Sequence, residues 1–224
     1  MIRAIVTDIE GTTSSLSFVK DILFPYARKR MAVFVHEHAH ECDVERLVND
    51  VRTIIGNEAT LDEVIEQLIR WIDEDKKITP LKALQGLIWE YGYRVGDFRG
   101  HIYPDAEQAL RRWHEQGIAL YVYSSGSVYA QKLLFGHTEY GDLTPLFSGY
   151  FDTTVGGKTE PRSYQKIAAS VGLPATEILF LSDIERELDA ASAAGFRTCW
   201  LVRESVVAQQ PVHRLVRDFS DISV

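Results

Sequence analysis

Two carboxylates one residue apart, Asp8 and Glu10, end the apolar run Ile5-Val6-Thr7 and are followed by Gly11 and the hydroxyls of Thr12 and Thr13. Three later segments have the same form. The run 118–123 ends at Ser124-Ser125-Gly126, a short run at 150–155 ends at Gly156-Gly157-Lys158, and Ile178-Leu179-Phe180-Leu181 ends at Ser182-Asp183. Carboxylates gathered in one place repel unless a positive charge lies between them, and a carboxylate-only donor set suits a hard cation such as Mg²⁺, which prefers one or two carboxylates together with phosphate and water. A metal, a nucleophilic carboxylate, hydroxyl donors and a lysine are the parts of phosphoryl transfer. Uncatalysed phosphate-ester hydrolysis is slow enough to need up to ~10²¹-fold acceleration. Each segment also has a plainer reading. The serines can cap the next helix, Lys158 can be a solvated surface lysine, and Asp183 can be a helix N-cap. Asp8 and Glu10 are harder to explain away, because two acids ending a buried strand need a compensating charge.

The elements around these residues decide whether they can meet. Runs as apolar as 5–7 and 178–181 read as strands buried on both faces, the usual state in a parallel sheet. From Gly100 onward strands alternate with helices. Pro104 opens a helix with Ala106, Ala109, Leu110 and Trp113 on one face, stopped by Gly117, and another runs from about Ser127 to Phe135. Pro161 opens one with Tyr164, Ile167, Ala168 and Val171 inward, a further helix from about Glu185 stops at Gly195, and Thr198–Val202 reads as the last strand. Strict alternation predicts an α/β fold, a doubly wound, Rossmann-like parallel sheet with right-handed crossovers, whose strands all present their carboxyl ends on one edge. Asp8, Glu10, Ser124, Ser125, Lys158 and Asp183 should then share one crevice.

Residues 15–97 read differently. Pro25 opens a helix with Ala27, Met31, Phe34 and Val35 on one face; Val44, Leu47, Val48, Val51 and Ile55 follow at helical spacing. Thr60-Leu61-Asp62-Glu63 is a capping box ahead of the stripe Leu61, Val64, Ile65, Leu68 and Ile72, and Pro80 opens a helix to about Tyr91. This block is expected to be a small helical domain inserted after the first strand, with 1–14 and 98–224 forming the α/β core. Its aromatics Phe18, Tyr26 and Trp89 are expected in the core.

The 224 residues carry 24 Lys and Arg against 32 Asp and Glu, a formal charge of −8, which argues against nucleic-acid binding. No apolar run approaches membrane length, the chain starts directly with a strand, and Cys42 and Cys199 form no redox or metal motif. A soluble cytoplasmic protein without disulfides is expected.

Asp-x-Glu-Gly-Thr, the strand-end Ser, a Lys before a helix and the late Ser-Asp resemble the four ordered motifs of the haloacid dehalogenase superfamily, and the helical insertion resembles its cap domain. Within it, Asp-Ile-Glu-Gly-Thr-Thr, Tyr-Ser-Ser-Gly-Ser and Gln-Lys-Leu-Leu-Phe-Gly are similar to the acireductone synthases, the enolase-phosphatases of methionine salvage. The resemblance implies a monomer with one Mg²⁺ held by Asp8, Glu10 and Asp183, Asp8 as nucleophile, and Ser124, Ser125 and Lys158 on the substrate phosphate. Glu187 stands where many relatives have a second aspartate. The implied substrate is a phosphorylated diketone, 5-methylthio-2,3-dioxopentyl phosphate, which is enolised and then dephosphorylated. Glu10, where most phosphatases of the superfamily have Asp, is a candidate enolisation base.

Three other readings compete. His36-Glu37-His38-Ala39-His40 matches the zinc-peptidase pattern His-Glu-x-x-His, with His36 and His40 as ligands, Glu37 as base and Glu58, Glu63 or Glu66 as a third ligand. The plainer reading of that segment is a solvated helix end with histidines near the negative pole of the dipole. A phospho-receiver also uses Asp, hydroxyl, Lys and Mg²⁺, without a large helical insertion. A different capped phosphatase or phosphomutase would share the motifs and differ in its products.

Overall fold

The computed structural model describes residues 1–203 and 212–224. Strand β1 (Ala4–Thr7) lies inside a six-stranded sheet of order β3-β2-β1-β4-β5-β6, with every pair parallel. Ala4, Ile5 and Val6 are wholly buried, as a central strand covered on both faces requires. Thr7 is in register with Val122 of β2 (Ala119–Tyr123) on one side and Leu181 of β4 (Ile178–Ser182) on the other. The residues after each strand therefore leave the sheet at one level. The chain builds outward from β1 to β2 and β3 (Phe147–Phe151), then returns to add β4, β5 (Arg197–Leu201) and β6 (Arg214–Val216) on the other side. The strand order reverses at β1, where ligands bind in such sheets.

The chain divides into two compact units, Met1–Leu16 with Gly100–Val224, and Ser17–Arg99. The second is helical. A short π-helix (Phe18–Leu23) runs into α1 (Phe24–His38), followed by α2 (Cys42–Ile55), α3 (Leu61–Asp73) and α4 (Thr79–Val95). The four helices bury a core of their own that includes Met31, Val35, Val51, Leu68, Leu84 and Ile88. The capping box at Thr60 and Glu63 is formed in both directions. In the first unit, α5 (Pro104–Glu115), α6 (Val128–Gly136), α7 (Pro161–Val171) and α8 (Glu185–Ala193) alternate with the strands. Tyr123, Tyr164, Ile167, Phe180 and Leu188 pack into one cluster against the sheet.

Several boundaries differ from the sequence reading. The strand expected at 150–155 is β3 at Phe147–Phe151. Asp152 ends it by accepting the Thr154 N–H at 2.9 Å and the Thr154 hydroxyl at 2.6 Å, an Asx turn. Thr198–Val202 is not the last strand, since β6 follows it. A three-residue strand carries no readable alternation. It is tied in by buried His213, whose Nδ1 lies 2.8 Å from Thr198 Oγ1 and whose Nε2 lies 3.0 Å from Asp189 Oδ1. Residues 15 and 16 stay with the sheet unit because Ser14 N–H donates to the Ile9 carbonyl and Ser15 N–H donates to His101 Nδ1. No helix among the described residues is long and apolar enough to cross a membrane.

At Gly100 a side chain has no room: an added Cβ would lie 2.2 Å from the Leu134 carbonyl oxygen. The obstacle is backbone and cannot swing aside. Gly100→Ala is expected to lower the unfolding free energy by about 1–3 kcal/mol, read as a lower urea midpoint at unchanged slope.

Candidate active site

The loop leaving β1 is held from several directions. Asp8 N–H extends the ladder to the Leu181 carbonyl at 2.9 Å, and the Thr13 hydroxyl donates to the Asp8 carbonyl at 3.1 Å. Gly11 adopts φ +72°, and a Cβ there would lie 2.1 Å from Asp183 Oδ2, so only glycine lets the loop pass this carboxylate. Arg203, just beyond β5, donates twice to the Thr12 carbonyl, at 3.0 and 2.8 Å. It also pairs with both oxygens of Asp105 and lies over the Tyr103 ring at 3.7 Å. This anchor was missed in the sequence, where the chain after Arg203 has no periodic pattern.

Lys158 sits in the loop that follows β3. Three side chains fix that loop by its carbonyls: Tyr123 OH donates to Gly156 at 3.0 Å, Ser163 Oγ to Gly157 at 2.8 Å and Tyr164 OH to Lys158 at 2.7 Å. The Lys158 side chain is buried, and its Nζ lies 2.6 Å from Asp8 Oδ1 and 2.7 Å from Glu187 Oε2. Burial pulls the ammonium pKa down, but Asp8 and then Glu187 outweigh it, and the pKa ends above its ordinary value. Glu187, on the first turn of α8, also accepts the Ser182 hydroxyl at 2.9 Å. Its carboxyl is raised by burial and by the charge of Asp8, against the opposing pull of Lys158. Glu187 thus joins the site directly, which its departure from the usual aspartate left open.

Ser124 follows β2 and is buried, with its Oγ accepting the Gly126 N–H at 3.1 Å. The cap of α6 is instead Ser127, whose Oγ accepts the Ala130 N–H at 3.3 Å. Capping therefore does not account for Ser124. Asp8, Glu10, Ser124, Ser125, Lys158, Asp183 and Glu187 line one cavity of about 180 Å³, with Leu16 and Ile184 at its wall. All six residues expected to meet line this cavity, together with Glu187.

Four carboxylates and one ammonium make that cavity strongly negative, so a phosphate could not enter without further positive charge. Asp183 shows the strain. Its Oδ1 is buried without a hydrogen-bond partner among the described residues, and burial, then the charge of Asp8, push its carboxyl pKa up to about 7. A cation beside Asp8 and Asp183 would relieve both conditions. Yet among the described residues no three His, Cys, Asp or Glu side chains stand together as a ready metal cage. Lys158 occupies Asp8 Oδ1, so the other Asp8 oxygen and the carboxylates of Glu10 and Asp183 are the donors that would hold an ion, with water completing its shell. The zinc-peptidase pattern does not form. Helix α1 ends at His38, so His40 lies beyond the helix that would have put it on the face of His36, and His36 Nε2 pairs with Asp62 at 3.0 Å.

A carboxyl whose pKa is raised costs stability once ionised. For Asp183 the cost is absent below its ordinary value of 3.8 and grows as pH rises from there through about 7. Asp183→Asn should therefore raise the melting temperature of chelator-treated protein near pH 8, and the gain should vanish near pH 4. Gly11→Ala should destabilise by about 1 kcal/mol or more from the left-handed backbone alone, and should abolish turnover by displacing Asp183, measured by thermal melting and steady-state kinetics.

A family model described as haloacid dehalogenase-like hydrolase matches residues 2–195. The protein named Enolase-phosphatase E1 from Methylococcus capsulatus is 66% identical over 205 residues, 91% of this chain and 90% of that one. Its namesake from Thioalkalivibrio sulfidiphilus is 56% identical over 224 residues, the whole of both chains. Among solved structures, the UTR4 protein of Saccharomyces cerevisiae superposes with a TM-score of 0.87 at 31% identity, covering 99% of this chain and 100% of that one. L-2-haloacid dehalogenase from Xanthobacter autotrophicus, at a TM-score of 0.55 and 20% identity over 92% of this chain and 79% of that one, shares the fold. With one family model over most of its length and relatives more than half identical over nearly all of it, the chain belongs to the haloacid dehalogenase-like hydrolases and, among them, to the family of the enolase-phosphatase E1 proteins.

Proposed function

We propose that the protein is a Mg²⁺-dependent enolase-phosphatase (acireductone synthase) that converts 5-methylthio-2,3-dioxopentyl phosphate through an enol phosphate to the acireductone and inorganic phosphate, in methionine salvage. The observation that carries this reading is the buried Lys158 held between Asp8 and Glu187 in a cavity shared with Glu10, Ser124, Ser125 and Asp183. The names of its relatives and their 54–66% identity support the substrate. The helical unit Ser17–Arg99 is the cap in this reading. A monomer acting in the cytoplasm belongs to it too, with a mass near 25.4 kDa in light scattering as its signature.

The residues divide the work as follows. Ser124, Ser125 and Lys158 hold the phosphate oxygens and stabilise the charge they gain in the transition state. A proton leaves the carbon next to a substrate carbonyl and passes to Glu10, leaving an enolate whose oxygen takes a proton from water to give the enol. Asp8 then attacks phosphorus; the bond from phosphorus to the leaving oxygen breaks and that oxygen keeps the electron pair. Water cleaves the aspartyl-phosphate, releasing inorganic phosphate and restoring Asp8. Lys158 keeps the Asp8 carboxylate aimed, since a long side chain tied at both its carbonyl and its ammonium has little freedom left. Asp8, Glu10 and Asp183 would hold Mg²⁺, which would supply the positive charge that an anionic ester needs in a carboxylate-lined cavity and polarise its oxygens.

Incubation with the diketo phosphate and Mg²⁺, following enol absorbance and phosphate together, tests the whole reading: both signals are expected, and phosphate release without an enol leaves a plain phosphatase. Chelation should abolish both and Mg²⁺ should restore them. Asp8→Asn should cost about 10³-fold or more in phosphate release. Glu10→Asp should slow enol formation; wild-type rates for both steps would remove Glu10 from the role of base.

A further inference from the structure

Gln131, on α6, is 1% exposed, and its side-chain hydrogen bonds go to backbone carbonyls rather than to the side chains that carry the proposed chemistry. Its Nε2 donates to two backbone carbonyls, Gly126 at 2.8 Å and Phe151 at 2.9 Å. The Phe151 carbonyl also accepts the Ser124 N–H at 3.2 Å, and the Gly126 N–H donates to Ser124 Oγ at 3.1 Å. One amide group thus ties the end of β3 to Gly126 at the far end of the turn 124–126, and shares the Phe151 carbonyl with the Ser124 N–H at its near end. Two carbonyls facing Nε2 fix which way the amide points, because the flipped orientation would set oxygen against oxygen. The other end of the group gains nothing: Gln131 Oε1 is buried with no hydrogen-bond partner among the described residues. An apolar side chain of the same length would fill the space without an orphaned acceptor. What only the glutamine supplies is the pair of donors to this turn.

We infer that Gln131 is a positioning residue that presets the Ser124 hydroxyl and the turn after it for the substrate phosphate. The inference rests on the reading of Ser124 and Ser125 as phosphate-holding residues. Gln131 makes no contact with phosphate; it acts by removing the freedom of the turn before phosphate arrives, so that ordering is not charged against binding. Its loss should appear as weaker phosphate binding rather than as loss of the nucleophile.

The test is Gln131→Met in the full-length protein with Mg²⁺, using inorganic phosphate as the probe by calorimetry, alongside kcat, KM and melting temperature. Phosphate affinity is expected to fall about tenfold, the worth of one net hydrogen bond, with a matching rise in KM and a smaller change in kcat. Combined with Ser124→Ala, the loss should be clearly less than the product of the two single losses, because both act through one hydroxyl. If Gln131→Met does not fold, Gln131→Glu is read in its place with the same direction of change expected, since a carboxyl cannot supply both donors. Affinity and KM within twofold of wild type, a lower melting temperature alone, or fully multiplicative losses would overturn the inference. If Ser124→Ala itself leaves phosphate affinity unchanged, the phosphate-holding reading of the turn falls, and this inference falls with it.

Discussion

A buried ammonium shared by two carboxylates from distant parts of the chain governs this molecule. Lys158 Nζ lies within 2.7 Å of both Asp8 and Glu187, and all three side chains are largely withdrawn from water. Removing Lys158 would leave two carboxylates uncompensated in a poorly solvated place, which is far costlier than the pairing is favourable. The segments that follow β1, β3 and β4 and carry these groups therefore have to stay together. The sheet supplies the means, since β3, β2, β1 and β4 are paired side by side in parallel and release their chains at one edge. The same arrangement leaves Asp183 beside the charge of Asp8 with a buried oxygen that has no hydrogen-bond partner among the described residues.

The loops at that edge have lost the ladder partners that strands enjoy, and their carbonyls have to be satisfied otherwise. Side chains from the core do it. Arg203 serves Thr12, Tyr123 serves Gly156, Ser163 serves Gly157, Tyr164 serves Lys158 and Gln131 serves Gly126. Tyr123, Ser163, Tyr164 and Gln131 are buried, and Tyr123 and Tyr164 belong to the cluster packed against the sheet. Function-bearing loops are thereby built with the rigidity of the core, so the geometry of the acids and hydroxyls does not have to be organised anew with each substrate.

The helical unit obeys a different logic. Its four helices close a core of their own, and its two-way capping box fixes where α3 begins. The histidines at 36, 38 and 40 sit where α1 runs out, and two of them are absorbed by carboxylates nearby, Asp62 and Glu41. A spacing that on a continuous helix would align two ligands loses its meaning when the helix stops between them.

Sequence by itself determined the class of fold and which side chains the strand ends would bring to one cavity. Apolar runs ending in Asp8 and Glu10, Ser124, and Asp183 report their strands, because burial on both faces forces a composition that nothing else in the chain shares. Prolines 25, 80, 104 and 161 marked helix starts for a local reason, the absence of an N–H that a first turn does not need. Tertiary structure decided everything that depends on what lies opposite. Glu187 could be placed on a helix but not against Lys158; Arg203 looked like an ordinary polar residue, and Gln131 stood in a motif without a role, until their carbonyl partners, far away or across a turn, were in place. The end of β3 and the existence of β6 were also beyond local patterning, since an Asx turn stops the first and neighbouring Cys199–Leu201 recruit the second. Periodicity records which face of an element is buried; it does not record which polar group will be waiting there, and the site is made of such meetings.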